Sequence, residues 1–335
     1  MNIALNGFGR IGKTFLRVLC DDQKALKSLK VVAINVGPAD AQAIAYMFKY
    51  DSLMGAYKGV VEYRDNQLII DGYAIKVYAE CDPQKLPWKT LQIDWVVEAS
   101  GHFTDRKTAE YHFTCGAKKV LITAPAHDED VSIIPGVNNA AYNAKKHAIV
   151  SLGSCTTNAF LPLLKVIHEN FGIEQAVMTT AHAYTNSQQL LDGNATMKDL
   201  RRSRAAALNM VPSTTGAQKM VDKIMPELAG KVEAIALRIP IPVVSLIDLS
   251  FIARKKLSAE TINKTFERTA QKELKHILAL SYEPLVSSDY EGNPYSVTVD
   301  GTLTYAHNQL GKVFGWYDNE WGYSCRLKDF LMNIA

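Results

Sequence analysis

No run in this chain is apolar for long enough to span a bilayer. Nor does a charged segment followed by a short apolar one open it. Met1-Asn2-Ile3-Ala4-Leu5 already reads as a core strand, so a cytoplasmic protein is expected, with no membrane as partner. Cysteine is scarce. Cys20, Cys81, Cys115, Cys155 and Cys325 form no CxxC pair and no metal-ligand spacing, which excludes a disulfide framework and a zinc cluster and fits a reducing compartment. A large charge of one sign is missing too: 37 Lys and Arg face 34 Asp and Glu, net +3. The short basic runs (Lys118-Lys119, Lys145-Lys146, Arg254-Lys255-Lys256) read as solvated faces, so no nucleic acid is expected as partner. There are no internal repeats and no low-complexity segments.

What remains is an ordinary globular balance, 47% hydrophobic and 21% charged, in 335 residues. That length exceeds what one core usually serves, and two domains are expected. The first half alternates strand and helix: strand 2–6, helix 10–20, strand 29–35, helix 39–50, hairpin strands around 59–80, strand 95–98, helix 107–115 and strand 119–123. Such alternation predicts an α/β, Rossmann-type dinucleotide-binding domain. The second half predicts a long helix over 155–171 and strands at 175–183, 233–238, 243–253, 296–300 and 312–316. With a helix over 259–274, that grouping predicts an α+β domain with a mostly antiparallel sheet. A long polar stretch, 184–213, lies between them. Loops of that length are usually functional.

Two places carry chemistry. Gly7-Phe8-Gly9-Arg10-Ile11-Gly12 is a GxGxxG run. Elsewhere that is only a glycine-rich turn, but here it follows a strand and opens a helix, the context in which backbone N–H groups hold a pyrophosphate. An acidic residue normally follows the second strand and binds the adenine ribose. Asn35-Val36-Gly37-Pro38 offers none, which admits NADP beside NAD. The other place is Cys155 in Ser154-Cys155-Thr156-Thr157-Asn158. A thiol at a helix start meets unpaired N–H groups and the positive end of the helix dipole, so a lowered pKa is expected there. His182, at a strand end in Thr179-Thr180-Ala181-His182-Ala183-Tyr184-Thr185-Asn186, is either an ordinary core histidine or a partner for that thiol. Spacing does not decide between them.

The chain resembles phosphorylating glyceraldehyde-3-phosphate dehydrogenases along nearly its whole length. The likeness rests on Asn6 to Gly12, Lys49-Tyr50-Asp51-Ser52, Ser154 to Asn158 and His182 to Asn186. It continues through Lys198-Asp199-Leu200-Arg201-Arg202, Ser213-Thr214-Thr215-Gly216-Ala217, Leu237-Arg238-Ile239-Pro240 and Tyr317-Asp318-Asn319-Glu320-Trp321-Gly322-Tyr323. The resemblance implies Cys155 as nucleophile and His182 as base, turning glyceraldehyde 3-phosphate and inorganic phosphate into 1,3-bisphosphoglycerate through a thiohemiacetal and a thioester. Thr185 and Arg238 match the holders of the substrate's C3 phosphate. Ser154, Thr215, Gly216 and Arg202 match those of the attacking phosphate, with Thr156 also at the substrate site. Of the neighbouring arginines, Arg201 or Arg204 is expected to be structural.

The implied cofactor positions are Asn6, Gly7, Gly9, Arg10, Ile11, Gly12, Asn35, Val36, Cys81, Ser100, Gly101, Thr123, Asn319 and Tyr323. No metal is implied. Residues 1–151 with 319–335 would form the dinucleotide domain, the last helix packing back onto it, and 152–318 the catalytic one. Segment 184–207 resembles a loop that borders a neighbour's cofactor in a homotetramer.

The chain departs from the family at several positions. Val36 replaces an aspartate and tilts the cofactor reading toward NADP. Cys81 stands where an arginine is common, which argues the other way. Ser187 replaces an aspartate, Leu152-Gly153 replaces Asn-Ala, and Ala159 replaces a second cysteine. Gly193-Asn194-Ala195-Thr196-Met197 replaces Leu-Pro-His. Two alternatives stay open: an erythrose-4-phosphate dehydrogenase, whose members depart from the His-Ala-Tyr-Thr motif kept here, and a non-catalytic binding or moonlighting protein on this fold. Flux in the glycolytic or the gluconeogenic direction would use the same residues.

Overall fold

The computed structural model describes residues 1–193 and 200–335. The expected changes at 194–197, and the Lys198-Asp199 pair, lie outside the described residues. The chain divides into two compact units, Met1–Gly153 with Ser324–Ala335, and Ser154–Tyr323.

The first unit holds β1 (Asn2–Asn6), α1 (Arg10–Asp21), α2 (Gln23–Ser28), β2 (Lys30–Asn35) and α3 (Ile44–Lys49). There follow β3 (Val61–Arg64), β4 (Gln67–Ile70), β5 (Tyr73–Tyr78), β6 (Trp95–Glu98), α4 (Arg106–Ala109) and α5 (Tyr111–Thr114). Strands β7 (Lys119–Ile122), β8 (Val131–Ser132) and β9 (Ile149–Ser151) complete it. The expected helix over 107–115 is thus two short ones. The described strands order as β3-β4-β5-β2-β1-β6-β7-β9-β8. From β5 to β9 all pairings are parallel, and only the hairpins β3-β4 and β4-β5 are antiparallel. β1 lies between β2 and β6, so the winding reverses there, where such sheets open a crevice at the carboxyl ends of their strands.

The fingerprint occupies that point. Gly7 has φ +97, and a Cβ on it would strike the backbone of Ala99 and Ser100 just past β6. A Cβ on Gly12 would strike the carbonyl oxygen of Gly7. Both glycines are required for strand, turn and helix to close up. Phe15, Leu16, Val18 and Leu19 bury the inner face of α1.

Beneath the turn runs a buried polar chain. Trp88 Nε1 donates to His112 Nδ1 at 3.1 Å, which leaves the proton on Nε2 to donate to Glu98 Oε2 at 3.0 Å. Asn6 Nδ2 donates to the same oxygen at 2.6 Å, and the amide and hydroxyl of Ser100 donate to Oε1. Asn35 Nδ2 donates onward to Asn6 Oδ1 at 2.7 Å. One carboxylate therefore ties the ends of β1, β2 and β6 together.

The second unit starts with α6 (Cys155–Phe171), buried on nearly every side by Phe160, Leu161, Leu163, Leu164, Val166 and Ile167. Its strands are β10 (Ile173–Ala183), β11 (Val211–Ser213), β12 (Val232–Ile239), β13 (Ser245–Ala253), β14 (Leu278–Ser281), β15 (Val297–Asp300), β16 (Tyr305–His307) and β17 (Leu310–Tyr317). Helices α7 (Ala217–Ile224) and α8 (Ala259–Gln271) accompany them. The described strands order as β11-β12-β10-β13-β17-β15-β14, with β16 on β17. Most pairings are antiparallel; β10-β12 and β14-β15 are parallel. The last helix, α9 (Trp321–Asn333), starts in the second unit and continues in the first.

Removing the Glu98 carboxylate strands several buried donors at once, each costing about 1–3 kcal/mol. Glu98→Leu should therefore lower stability by ~3 kcal/mol in urea unfolding followed by tryptophan fluorescence. An unchanged midpoint would show that the chain of hydrogen bonds contributes nothing net.

Candidate active site

Ser154 caps α6: its Oγ accepts from the Thr157 N–H at 3.1 Å. Cys155, the first residue of that helix, is half-buried. Its Sγ lies 3.5 Å from His182 Nε2 at the end of β10. The pairing left open by spacing is thus present in the fold. β10 pairs with β12 so that His182 faces Arg238 in register. Arg238 Nη1 lies 2.6 Å from His182 Nδ1 and donates to the Ala183 carbonyl at 3.1 Å. His182 Nδ1 is itself 2.6 Å from that carbonyl.

A guanidinium nitrogen has only protons to offer, and the carbonyl has two lone pairs. We assign the Nδ1–H tautomer, in which the Ala183 oxygen accepts from both neighbours and the approach of Arg238 Nη1 to Nδ1 is a donor–donor contact rather than a hydrogen bond. The lone pair of Nε2 then faces the thiol.

The electrostatics correct one expectation. Cys155 at the helix start was expected to have a lowered pKa, yet burial pushes the thiol up. Arg238, the Thr156 hydroxyl and N–H, and the thiol's own N–H pull it down, and burial outweighs them. The pKa of His182 is pushed down to about 3, first by burial and then by the Arg238 charge, against a smaller upward pull from the Ala183 carbonyl. Burial thus favours a neutral thiol beside a neutral imidazole.

Three residues not singled out in the sequence hold this pair. Tyr317, expected only as part of a motif, puts its hydroxyl between Thr156 Oγ1 at 3.0 Å and Thr180 Oγ1 at 2.8 Å. Its ring meets the His182 ring edge-on, centroids 6.0 Å apart. Thr180, two residues before His182 on β10, is the anchor for that hydroxyl. Ser245 accepts from the Ala183 N–H at 3.0 Å and donates to Asn319 Oδ1 at 3.2 Å. Alternation along β17 and β10 marks Tyr317 and Thr180 as inward-facing, but nothing local marks their role. Thr156 is buried, with its hydroxyl on that of Tyr317.

The other expected positions fall as follows. Arg202 Nη2 donates to the Thr214 carbonyl at 3.4 Å, beside half-buried Thr215 and exposed Gly216. Arg204 pairs with Asp192 at 2.7 Å. Thr185 Oγ1 is 2.9 Å from Ser187 Oγ. In the first unit no side chain caps α1, since its N-cap is Gly9, and a Cβ there would meet open space. That bare helix start fits a phosphate group. Arg10 is paired with Asp51, to which buried Lys13 adds a second cation at 3.3 Å. The Ile11 and Gly12 backbones belong to the first helical turn. Asn35 Oδ1 accepts from the N–H groups of Glu80 and Gly37. Val36 is half-buried, and its N–H is bound to the Tyr78 carbonyl. Cys81 is exposed, Gly101 has φ +77, and Thr123 Oγ1 donates to the Glu98 carbonyl. Tyr323 is buried, as is Asn319. Among the described residues no group of His, Cys, Asp or Glu could hold a metal, and no helix is long and apolar enough to cross a membrane.

Residues 154–319 match the model for the glyceraldehyde 3-phosphate dehydrogenase C-terminal domain, and residues 1–106 that for the NAD binding domain of the same family. The chain is 44% identical to glyceraldehyde-3-phosphate dehydrogenase 2 of Bacillus subtilis (strain 168), over 100% of its own length and 97% of the relative's. It is 45% identical to glyceraldehyde-3-phosphate dehydrogenase of Geobacillus stearothermophilus, covering 100% and 98% of the two chains. Glyceraldehyde-3-phosphate dehydrogenase 2 of Streptomyces avermitilis is 43% identical with the same coverage. Identity of this extent along the whole chain, with both halves matched, means that the chain belongs to the glyceraldehyde-3-phosphate dehydrogenase family.

Proposed function

We propose that this chain is a phosphorylating glyceraldehyde-3-phosphate dehydrogenase, an oxidoreductase that converts the aldehyde and inorganic phosphate to 1,3-bisphosphoglycerate. The observation that carries this reading is the cluster of Cys155, His182 and Arg238. A nucleophile, a neutral base and an anion-binding guanidinium lie within 3.5 Å of one another through the imidazole.

Cys155 Sγ adds to the aldehyde carbon, and its proton ends on the new hydroxyl, giving a thiohemiacetal. His182 Nε2 then takes that hydroxyl proton as the carbon is oxidised to the thioester level. The nicotinamide, when bound, supplies the hydride acceptor. A phosphate oxygen next attacks the thioester carbonyl, the C–S bond breaks, and the sulfur leaves as thiolate. The Cys155 N–H at the helix start and His182 stabilise the oxyanion. Arg238 and Thr185 hold the C3 phosphate, and Ser154, Arg202, Thr215 and Gly216 the attacking one, a task suited to the planar guanidinium fork. A dianion at Arg238 offsets the charge that holds His182 down, so substrate strengthens the base.

Asn6, Gly7, Gly9, Arg10, Ile11, Gly12, Asn35, Val36, Cys81, Ser100, Gly101 and Thr123 would hold the dinucleotide, and Asn319 and Tyr323 its nicotinamide end. The absent carboxylate at Val36 favours acceptance of NADP beside NAD. A cytoplasmic homotetramer is also part of the reading; Val177, Ile235 and Ile252 leave apolar surface exposed on the second sheet.

Cys155→Ser should abolish phosphate-dependent turnover, and His182→Asn should lower kcat by about 10²–10⁴. Steady-state assays with glyceraldehyde 3-phosphate and erythrose 4-phosphate, each with and without phosphate, measure this. Phosphate-independent turnover of the erythrose substrate, or activity retained by Cys155→Ser, would overturn the reading. Kinetics with both cofactors should give measurable turnover with NADP. Turnover with NAD alone would contradict the inference from Val36.

A further inference from the structure

The residue just before β13 sits in a strained backbone. Val244 is buried and β-branched, yet its φ is +67, a region that favours glycine. Such a conformation persists only where the surroundings over-determine it, and it collects at functional sites. The next residue, Ser245, is buried at the head of the strand and faces Tyr317 in the β13-β17 register. Its hydroxyl holds two groups at once. The oxygen accepts from the Ala183 N–H at 3.0 Å, and the proton goes to Asn319 Oδ1 at 3.2 Å.

That pair of bonds fixes the flip of the Asn319 amide. A serine has one proton to give, and among the described residues Asn319 Oδ1 is its acceptor. Were the amide turned over, its NH2 would face Ser245 and the buried O–H would have nothing to donate to, a costly state. Asn319 Nδ2 is therefore the side of the amide directed away from Ser245. It makes no hydrogen bond among the described residues, although Asn319 is only 5% exposed. A buried amide nitrogen with protons to give needs an acceptor. The carbonyl oxygen of a nicotinamide carboxamide is one.

We propose that Ser245 is a positioning residue for the cofactor. It orients the Asn319 amide so that an N–H, and not the oxygen, is presented to the carboxamide of the nicotinamide. The same hydroxyl ties that amide to Ala183, whose carbonyl holds His182. The base and the holder of the hydride acceptor are thereby set in one frame. This rests on the function proposed above, which gives Asn319 the nicotinamide end, and adds Ser245 to it.

The test is the ratio of the dissociation constant of ADP-ribose to that of oxidised NAD, each measured by calorimetric titration. ADP-ribose lacks the nicotinamide, so damage to the fold weakens both ligands and leaves the ratio alone. Ser245→Ala should lower the ratio about fivefold, the effect of one lost hydrogen bond. Asn319→Ala should lower it at least as far. Adding Ser245→Ala to that variant should lower it no further, because the serine acts through the amide. Ser245→Cys, close in shape but a weak donor, should show the same loss to a smaller degree and serves if the alanine variant does not fold. A parent-like ratio in both Ser245 variants, or losses that add in the double variant, would overturn the proposal. An unchanged ratio in Asn319→Ala would overturn its assignment to the nicotinamide end instead, so the two failures are distinct.

Discussion

The Ala183 carbonyl is the small constraint on which the second unit's chemistry turns. By accepting from His182 Nδ1 and from Arg238, it fixes which imidazole nitrogen faces Cys155. The surrounding structure serves that choice. Ser245 holds the Ala183 N–H, so the peptide cannot rotate. Tyr317 links Thr156 on α6 to Thr180 on β10 and holds the helix start against the strand end. Burial sets a tension in this arrangement. It pushes thiol and imidazole alike toward their neutral forms. Arg238 favours thiolate but opposes imidazolium, so it helps one partner and hinders the other. An anion that offset that guanidinium would raise the imidazole's basicity and weaken the pull toward thiolate.

The two units use helix starts in opposite ways. Ser154 caps α6 with its own side chain, and the thiol sits in the first turn, where N–H groups point toward it. At α1 the N-cap is Gly9, which has no side chain to offer, so no side chain caps that helix start. The same backbone dipole thus favours a negative sulfur in one unit and a phosphate in the other. The buried Glu98 chain fixes the geometry of the second case, because the strands that flank the turn share one carboxylate.

Much of this was legible in the residues. Alternating apolar strands and amphipathic helices indicated the doubly wound unit, and α6 begins at Cys155 and ends at Phe171 as its apolar run predicts. Gly7 and Gly12 declared their role because only glycine fits where backbones collide. What stayed hidden depended on tertiary proximity. His182 could not be paired with Cys155 by counting, since 27 residues separate them. Arg238 became its neighbour only through the parallel register of β10 and β12. Tyr317, Thr180 and Ser245 carry no local signal for their work. The expectation of a lowered thiol pKa failed because it weighed the helix start and had no way to weigh burial.

The central claim is that Cys155 carries the substrate as a thioester, released only by phosphate. Intact-mass spectrometry after mixing the enzyme with glyceraldehyde 3-phosphate and oxidised cofactor, without phosphate, tests this most directly. The account predicts a phosphoglyceroyl adduct that maps to Cys155, forms with one equivalent of reduced cofactor, and vanishes when phosphate is added. Reduced cofactor without an adduct, or the same adduct on the Cys155→Ser variant, would contradict it.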